Sequence, residues 1–140
     1  NCLVLNDEKN VVEALQSNLF MKTGNIVVTP PVSDGCLNGI MRKQVLEILK
    51  KIEGIEVKET SISPFDLQKA DELFLTNVIS GIQPITKYRK KEYITEFASD
   101  VLKNSPHLGI DKFSVIYFWY NKSLSIIIVF STILSSGLSI

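Results

Sequence analysis

The stretch CLNGIMRKQVLEILKKIEG, Cys36 to Gly54, organises the reading of the whole chain. Met41, Val45, Ile48, Leu49 and Ile52 recur at the three-and-four spacing of an apolar helix stripe, while Arg42, Lys43, Lys50, Lys51 and Glu53 fall mostly off it. The spacing predicts a helix from about Gly39 to Glu53, closed by Gly54. Its start is unusual, because Asn38, Gly39 and Ile40 stand where a Ser or Asp cap is common. The amides of the first turn are then bare, the helix dipole is positive there, and a glycine permits close backbone approach, a combination that suits a phosphate. Many helices nevertheless begin after a glycine only to let chains pack, and on local features alone that simpler reading prevails.

Outward from this helix the chain reads as short strands and short helices. CLVLN and VVEAL flank the turn-rich DEKN, and SNLFMK and NIVVT flank TG, so residues 2–29 predict two successive hairpins continuing as an antiparallel meander. PPVSDG is a loop, since paired prolines cannot join a sheet ladder. Downstream, IEVKETSIS alternates like a strand, and Ser63 followed by Pro64 and Asp66 is an N-cap that starts a helix through about Lys69. ELFLTNV and IQPIT predict strands around Ser80 and Gly81, and TEFASDVLKN a last short helix. The fold class is therefore α+β, with antiparallel hairpins followed by helix and mixed strands.

Composition limits the function classes. A chain of 140 residues with 45% hydrophobic content can bury one sizeable core, and 15 basic against 15 acidic residues leave no net field for nucleic acid. Cys2, Cys36 and the single His107 lack the clustering a zinc site requires, so both thiols read as reduced packing residues of a cytoplasmic protein, with no metal. The chain opens on NCLVLN, which reads as a strand rather than a signal peptide. Residues 113–140 contain one charge, Lys122, and the last 18 residues none, just within the length of a membrane-spanning helix. Six serines in those 18 residues and the lack of a basic cluster beyond Lys112 and Lys122 argue against an anchor, so an adventitious hydrophobic tail is favoured over membrane association.

Three ordered segments change the weight given to the helix start. TPPVSDGCLNGIMR resembles the loop and helix start of the class IV aminotransferases, the fold-type IV enzymes that use pyridoxal phosphate; VVEALQSNLF resembles their strand pair with the cofactor-binding glutamate, and ADELFLTNVISGIQPIT their later phosphate-binding strand and turn. The resemblance implies that residues 1–104 form the large C-terminal lobe of such an enzyme, with 105–140 a separate hydrophobic tail. It implies that Glu13 binds the pyridine nitrogen, where a nearby anion keeps the nitrogen protonated and the ring electron-withdrawing. Without it, Glu13 reads as an exposed strand carboxylate. By the same similarity Gly39, Ile40 and Met41 hold the phosphate through their backbone, Asn77 and Val78 form a second phosphate-binding segment, and Ile79 and Ser80 meet the substrate carboxylate, or are ordinary turn residues.

The family's covalently binding lysine matches none of the lysines here; Lys9 and Lys22 read as solvated charges. The resemblance implies that this lysine and a smaller lobe lie upstream of Asn1, so the chain is expected to be a fragment, inactive alone, of an enzyme that is a homodimer when intact. Branched-chain aminotransferases usually carry a threonine where Met41 stands, whereas NGIMR and the Thr76–Asn77 pair are closer to 4-amino-4-deoxychorismate lyase, which eliminates pyruvate to give 4-aminobenzoate for folate synthesis. The substrate is then a small amino compound, aminodeoxychorismate or, for an aminotransferase, a branched-chain or D-amino acid. A non-catalytic remnant with a membrane-associated tail is the third reading.

Overall fold

The computed structural model describes residues 2–103. Expectations placed on the 113–140 tail lie outside the described residues. Among these, no helix is long and apolar enough to cross a membrane.

Two hairpins open the chain. β1 (Leu3–Leu5) and β2 (Val11–Ala14) pair antiparallel, and β3 (Asn18–Thr23) and β4 (Ile26–Thr29) pair across Gly24, whose φ of +56° is a turn conformation that suits glycine. The expected continuous meander does not form. β1 and β2 make a two-stranded sheet of their own, and the main sheet has the order β5-β4-β3-β6-β7, with β5 (Glu56–Glu59), β6 (Glu72–Asn77) and β7 (Gly81–Ile85). β5 lies parallel to β4, with Val27 opposite Val57, because α1 (Ile40–Leu49) carries the chain back over the sheet before the next strand begins. α2 (Pro64–Lys69), a charged two-stranded ribbon of β8 (Lys87–Tyr88) and β9 (Lys91–Glu92), and α3 (Glu96–Lys103) complete the described elements.

Strand alternation gives the sheet two apolar faces. On one, Phe20 of β3 stacks on its cross-strand partner Phe74 of β6 with ring centroids 5.0 Å apart, and Phe97 of α3 tilts against Phe74 at 6.5 Å. The Glu72 carboxylate is buried at the start of α3, where it accepts from the Phe97 and Ala98 amides at 3.0 and 3.2 Å. On the other face Leu19, Met21, Leu73 and Leu75 pack with Ile62, Leu67 and Tyr93, whose hydroxyl donates to the Leu67 carbonyl at 2.6 Å.

Several local expectations are corrected. α1 ends at Leu49 rather than Glu53, because Lys51 and Ile52 donate to carbonyls three residues back and the chain tightens into turns ending at Gly54, φ +81°. Arg42 is buried, not on the solvent face. Its guanidinium donates to the Pro30 carbonyl at 2.9 Å and pairs with Glu59 of β5. Lys22 is half-buried with its ammonium 5.1 Å above the Phe97 ring, whereas Lys9 is an exposed turn residue as expected. Cys36 is a buried thiol as expected, whereas Cys2 is exposed and not a core residue.

Candidate functional site

A cleft of about 210 Å³ opens where three separated stretches of chain converge: the end of β2 with the start of β3, the start of α1, and the end of β6 with the turn after it. Its lining includes all six residues expected to touch a cofactor, Glu13, Gly39, Ile40, Met41, Asn77 and Val78. Ile79 and Ser80 lie on the adjoining turn and not in the lining. A second cavity of about 270 Å³, bordered by Leu3, Ala14 and the β7–β8 segment, contains none of them.

Each wall of the cleft follows from local chemistry. The register of β1 and β2 sets Glu13 opposite Val4, and its Oε2 accepts from the Leu37 amide at 3.0 Å and from Asn18 Nδ2 at 3.4 Å. Oε1 has no hydrogen-bond partner among the described residues. Asn18 also donates to the Leu37 carbonyl at 2.7 Å, so one side-chain amide ties the glutamate and the loop before α1 to the first residue of β3. Asn18 is the residue that the sequence reading missed. Its only local signal is a polar residue heading the apolar run Leu19 to Met21, and the fold leaves it 6% exposed.

α1 begins at Ile40 with Gly39 as its N-cap, no side chain caps it, and no acidic residue stands in its first turn. The Ile40 and Met41 amides therefore have no acceptor among the described residues, at the positive end of a ten-residue helix. Gly39 has φ −61°, a torsion open to any residue; a Cβ there would collide with Asn18 Oδ1. Behind this turn the Cys36 thiol lies against the Pro30 and Pro31 carbonyls, and burial pushes its pKa above the ordinary thiol value.

The third wall is an Asx turn. Asn77 Oδ1 accepts from the Ile79 amide at 2.9 Å, the Ser80 amide at 2.7 Å and the Ser80 hydroxyl at 3.0 Å, while its Nδ2 donates to Ser17 Oγ and the Gln16 carbonyl. The amides of Ile79 and Ser80, the residues expected to meet a substrate carboxylate, are thus engaged by Asn77. Thr76, beside it, lines the cleft with a buried hydroxyl that has no partner among the described residues. Leu15, Leu37, Ile40 and Val78 are exposed around the rim. The cleft thus combines one unpartnered carboxylate oxygen, an acceptor for a cationic N–H, with uncapped helix amides, donors for an anion, within an apolar border.

Comparison with known proteins supplies the context for this geometry. The family model described as amino-transferase class IV matches residues 1–88. A putative branched-chain-amino-acid aminotransferase of Methanocaldococcus jannaschii is 40% identical over 82 residues, covering 59% of this chain and 28% of that protein. The aminodeoxychorismate lyase of Bacillus subtilis is 33% identical over 91 residues, covering 65% of this chain and 31% of that one. An aminotransferase from Brucella abortus, described as bound to the co-factor PLP, superimposes with a TM-score of 0.65 at 33% identity over 72% of this chain and 37% of its own. The chain therefore spans about a third of the length of each of these proteins.

Proposed function

The chain belongs to the class IV aminotransferase family, and from that membership we propose that it forms the cofactor-binding part of a pyridoxal-phosphate enzyme acting on a small amino compound. The family uses pyridoxal phosphate, and the cleft fits that group. The observation that carries the proposal is that six residues drawn from three segments, Glu13, Gly39, Ile40, Met41, Asn77 and Val78, line one cleft with complementary donors and acceptors. When bound, the cofactor supplies an electron-withdrawing ring that eases loss of a proton or group from the carbon bearing the substrate nitrogen.

The chain's own residues would act at the two ends of that ring. At one end the Ile40 and Met41 amides and the α1 dipole would hold the phosphate. At the other, Glu13 Oε1 would accept a hydrogen bond from the pyridine N–H, its negative charge favouring the protonated ring. Asn18 Nδ2 and the Leu37 amide fix the glutamate through Oε2, leaving Oε1 free for this role. Val78 closes the cleft at the turn that Asn77 shapes, and rearrangement of the Asn77 contacts would release the Ile79 and Ser80 amides for a substrate carboxylate. A homodimer is the proposed assembly of the intact enzyme.

For the reaction we infer 4-amino-4-deoxychorismate lyase, because Met41 leaves the helix start without a hydroxyl and Asn77 builds the Asx turn; the Bacillus subtilis relative supports this. Transamination of a branched-chain amino acid is the second reading, supported by the Methanocaldococcus jannaschii relative. The full-length enzyme should release pyruvate from 4-amino-4-deoxychorismate with no 2-oxo acid present. Exchange between a branched-chain amino acid and 2-oxoglutarate without pyruvate release would move the assignment to the second reading. In either case Glu13→Gln should lower turnover much more than affinity for the cofactor, and an unchanged turnover number would remove Glu13 from its role.

A further inference from the structure

We propose that Asn38 is a spontaneous modification site, losing its side-chain amide to attack by the Gly39 backbone nitrogen and leaving a carboxylate at the edge of the cleft. Asn38–Gly39 is the only Asn-Gly pair in the chain. The reaction needs an exposed asparagine, a free amide on the next residue and no Cβ to block that amide's approach, and this loop supplies all three. Asn38 is exposed, lies outside regular secondary structure and makes no side-chain hydrogen bond among the described residues. The Gly39 amide donates to nothing among them, although the Gly39 carbonyl accepts from the Lys43 amide at 3.1 Å. The glycine is fixed in place because a Cβ there would collide with Asn18 Oδ1. The packing that closes this wall of the cleft therefore creates the reactive pair.

The step balances with water as its only other reactant. The Gly39 nitrogen bonds to Asn38 Cγ and gives up its proton, the Cγ–Nδ2 bond breaks, and ammonia leaves a succinimide ring. Water opens that ring at either carbonyl, giving aspartate or isoaspartate. Other sites each lack a requirement. Asn6, Asn10, Asn18 and Asn77 hydrogen-bond through their side chains and, like Asn25, precede residues that carry a Cβ. Asp34–Gly35 can form the same ring, but its glycine amide is engaged by the Val32 carbonyl at 3.0 Å. Asn38 stands between Leu37 and Gly39, both of which line the cleft, so its products alter the site. Either adds a negative charge one residue before the α1 cap, where the helix dipole and the uncapped amides attract anions. Isoaspartate also routes the backbone through Cβ, lengthening the chain between the cap and Leu37, whose amide is held by Glu13 and whose carbonyl is held by Asn18. The conversion is independent of the cofactor reading above, and its effect on ligand affinity rests on that reading.

The test ages the full chain at physiological temperature, at neutral and at mildly acidic pH, and digests it for mass spectrometry and for an enzymatic methylation assay of isoaspartate. The wild-type peptide carrying Asn38 should gain the mass difference between a carboxamide and a carboxylic acid, score for isoaspartate and convert more slowly in acid, while the other asparagine peptides stay unchanged. An intact Asn38, or conversion no faster than at Asn25, overturns the assignment. Pyridoxamine 5′-phosphate and pyridoxamine, neither of which condenses with lysine, are then titrated by fluorescence into fresh and aged protein. Fresh Asn38→Asp should bind the phosphorylated ligand about two- to five-fold more weakly than fresh wild type, a gap that closes in high salt, and should bind pyridoxamine equally well. Aged wild type should lose affinity in step with conversion, whereas Asn38→Ala keeps its fresh affinity after the same incubation. Conversion that leaves the affinity of aged wild type unchanged overturns the consequence for the cleft and leaves the cofactor reading standing. Fresh wild-type protein that does not prefer the phosphorylated ligand removes the cofactor reading, and conversion at Asn38 then stands without it.

Discussion

At the scale of single residues the cleft depends on how Asn18 divides its side-chain amide. Nδ2 is shared between the Leu37 carbonyl and Glu13, and Oδ1 points at Gly39, where a Cβ would overlap it. The glycine is therefore required by a neighbouring side chain and not by its own torsion, φ −61°. Gly39→Ala should destabilise the protein by about 1–3 kcal/mol, the usual range for overpacking. In an Asn18→Ala background the same substitution should be nearly neutral, a coupling of about 1 kcal/mol or more in a double-mutant cycle followed by urea unfolding. Additive effects would show that Gly39 is small for some other reason. A side chain that displaces Asn18 also removes one of the two hydrogen bonds that hold the Glu13 carboxylate, leaving the one from the Leu37 amide.

At the scale of elements, what was legible in sequence is what is specified locally. α2 is the clearest case: Ser63 Oγ accepts from the Asp66 amide at 3.3 Å, and the Asp66 carboxylate accepts from the Ser63 amide at 3.1 Å and its hydroxyl at 2.8 Å, with Pro64 in the first turn. The Ser63 hydrogen bonds hold the Asp66 pKa below its ordinary value, the side-chain bond first. A carboxylate whose folded pKa is depressed stabilises the protein above its unfolded pKa, and that contribution is lost as pH falls through the folded value. Ser63→Ala should therefore destabilise by about 1 kcal/mol at pH 7, and its difference from wild type should narrow below about pH 4. Urea titrations at several pH values check this, and a gap that does not change with pH would detach Asp66 from the cap. The hairpins were readable for the same local reason. The end of α1 was not, because Ile52 continues the apolar spacing although the backbone has already tightened. Arg42 was misread because its partners, Pro30 and Glu59, lie 12 and 17 residues away. β8 and β9 were missed because KYRKKE has no apolar alternation and turns at Arg89, φ +56°, without a glycine. Glu13, Gly39 and the Thr76–Asn77 pair stood out by type and by resemblance, whereas Asn18 acquires its place only from the register that sets it opposite Thr76.

At the scale of the whole described molecule, the sheet order joins the cleft to the core. β6 is inserted between β3 and β7, so a strand at residues 72–77 completes a hairpin formed some fifty residues earlier. The Asn18–Thr76 pair of the cleft and the Phe20–Phe74 stack are adjacent rungs of one face of this ladder, separated by two residues on each strand. β3 cannot hold Asn18 against Gly39 unless β6 is in place, and β6 is held by the stack and by Phe97. Phe74, fully buried, should therefore matter to ligand binding although it is not one of the residues lining the cleft. Phe74→Ala should destabilise the protein by about 3–5 kcal/mol. In urea, the far-ultraviolet signal of the sheet, the near-ultraviolet signal of the aromatic side chains and the binding of pyridoxamine 5′-phosphate should be lost over one common range, because no part of the cleft survives without the β3–β6 ladder. Binding that persisted after the sheet signal had gone would show that the cleft is held by α1 and its loop alone, and would separate the site from the fold that carries it.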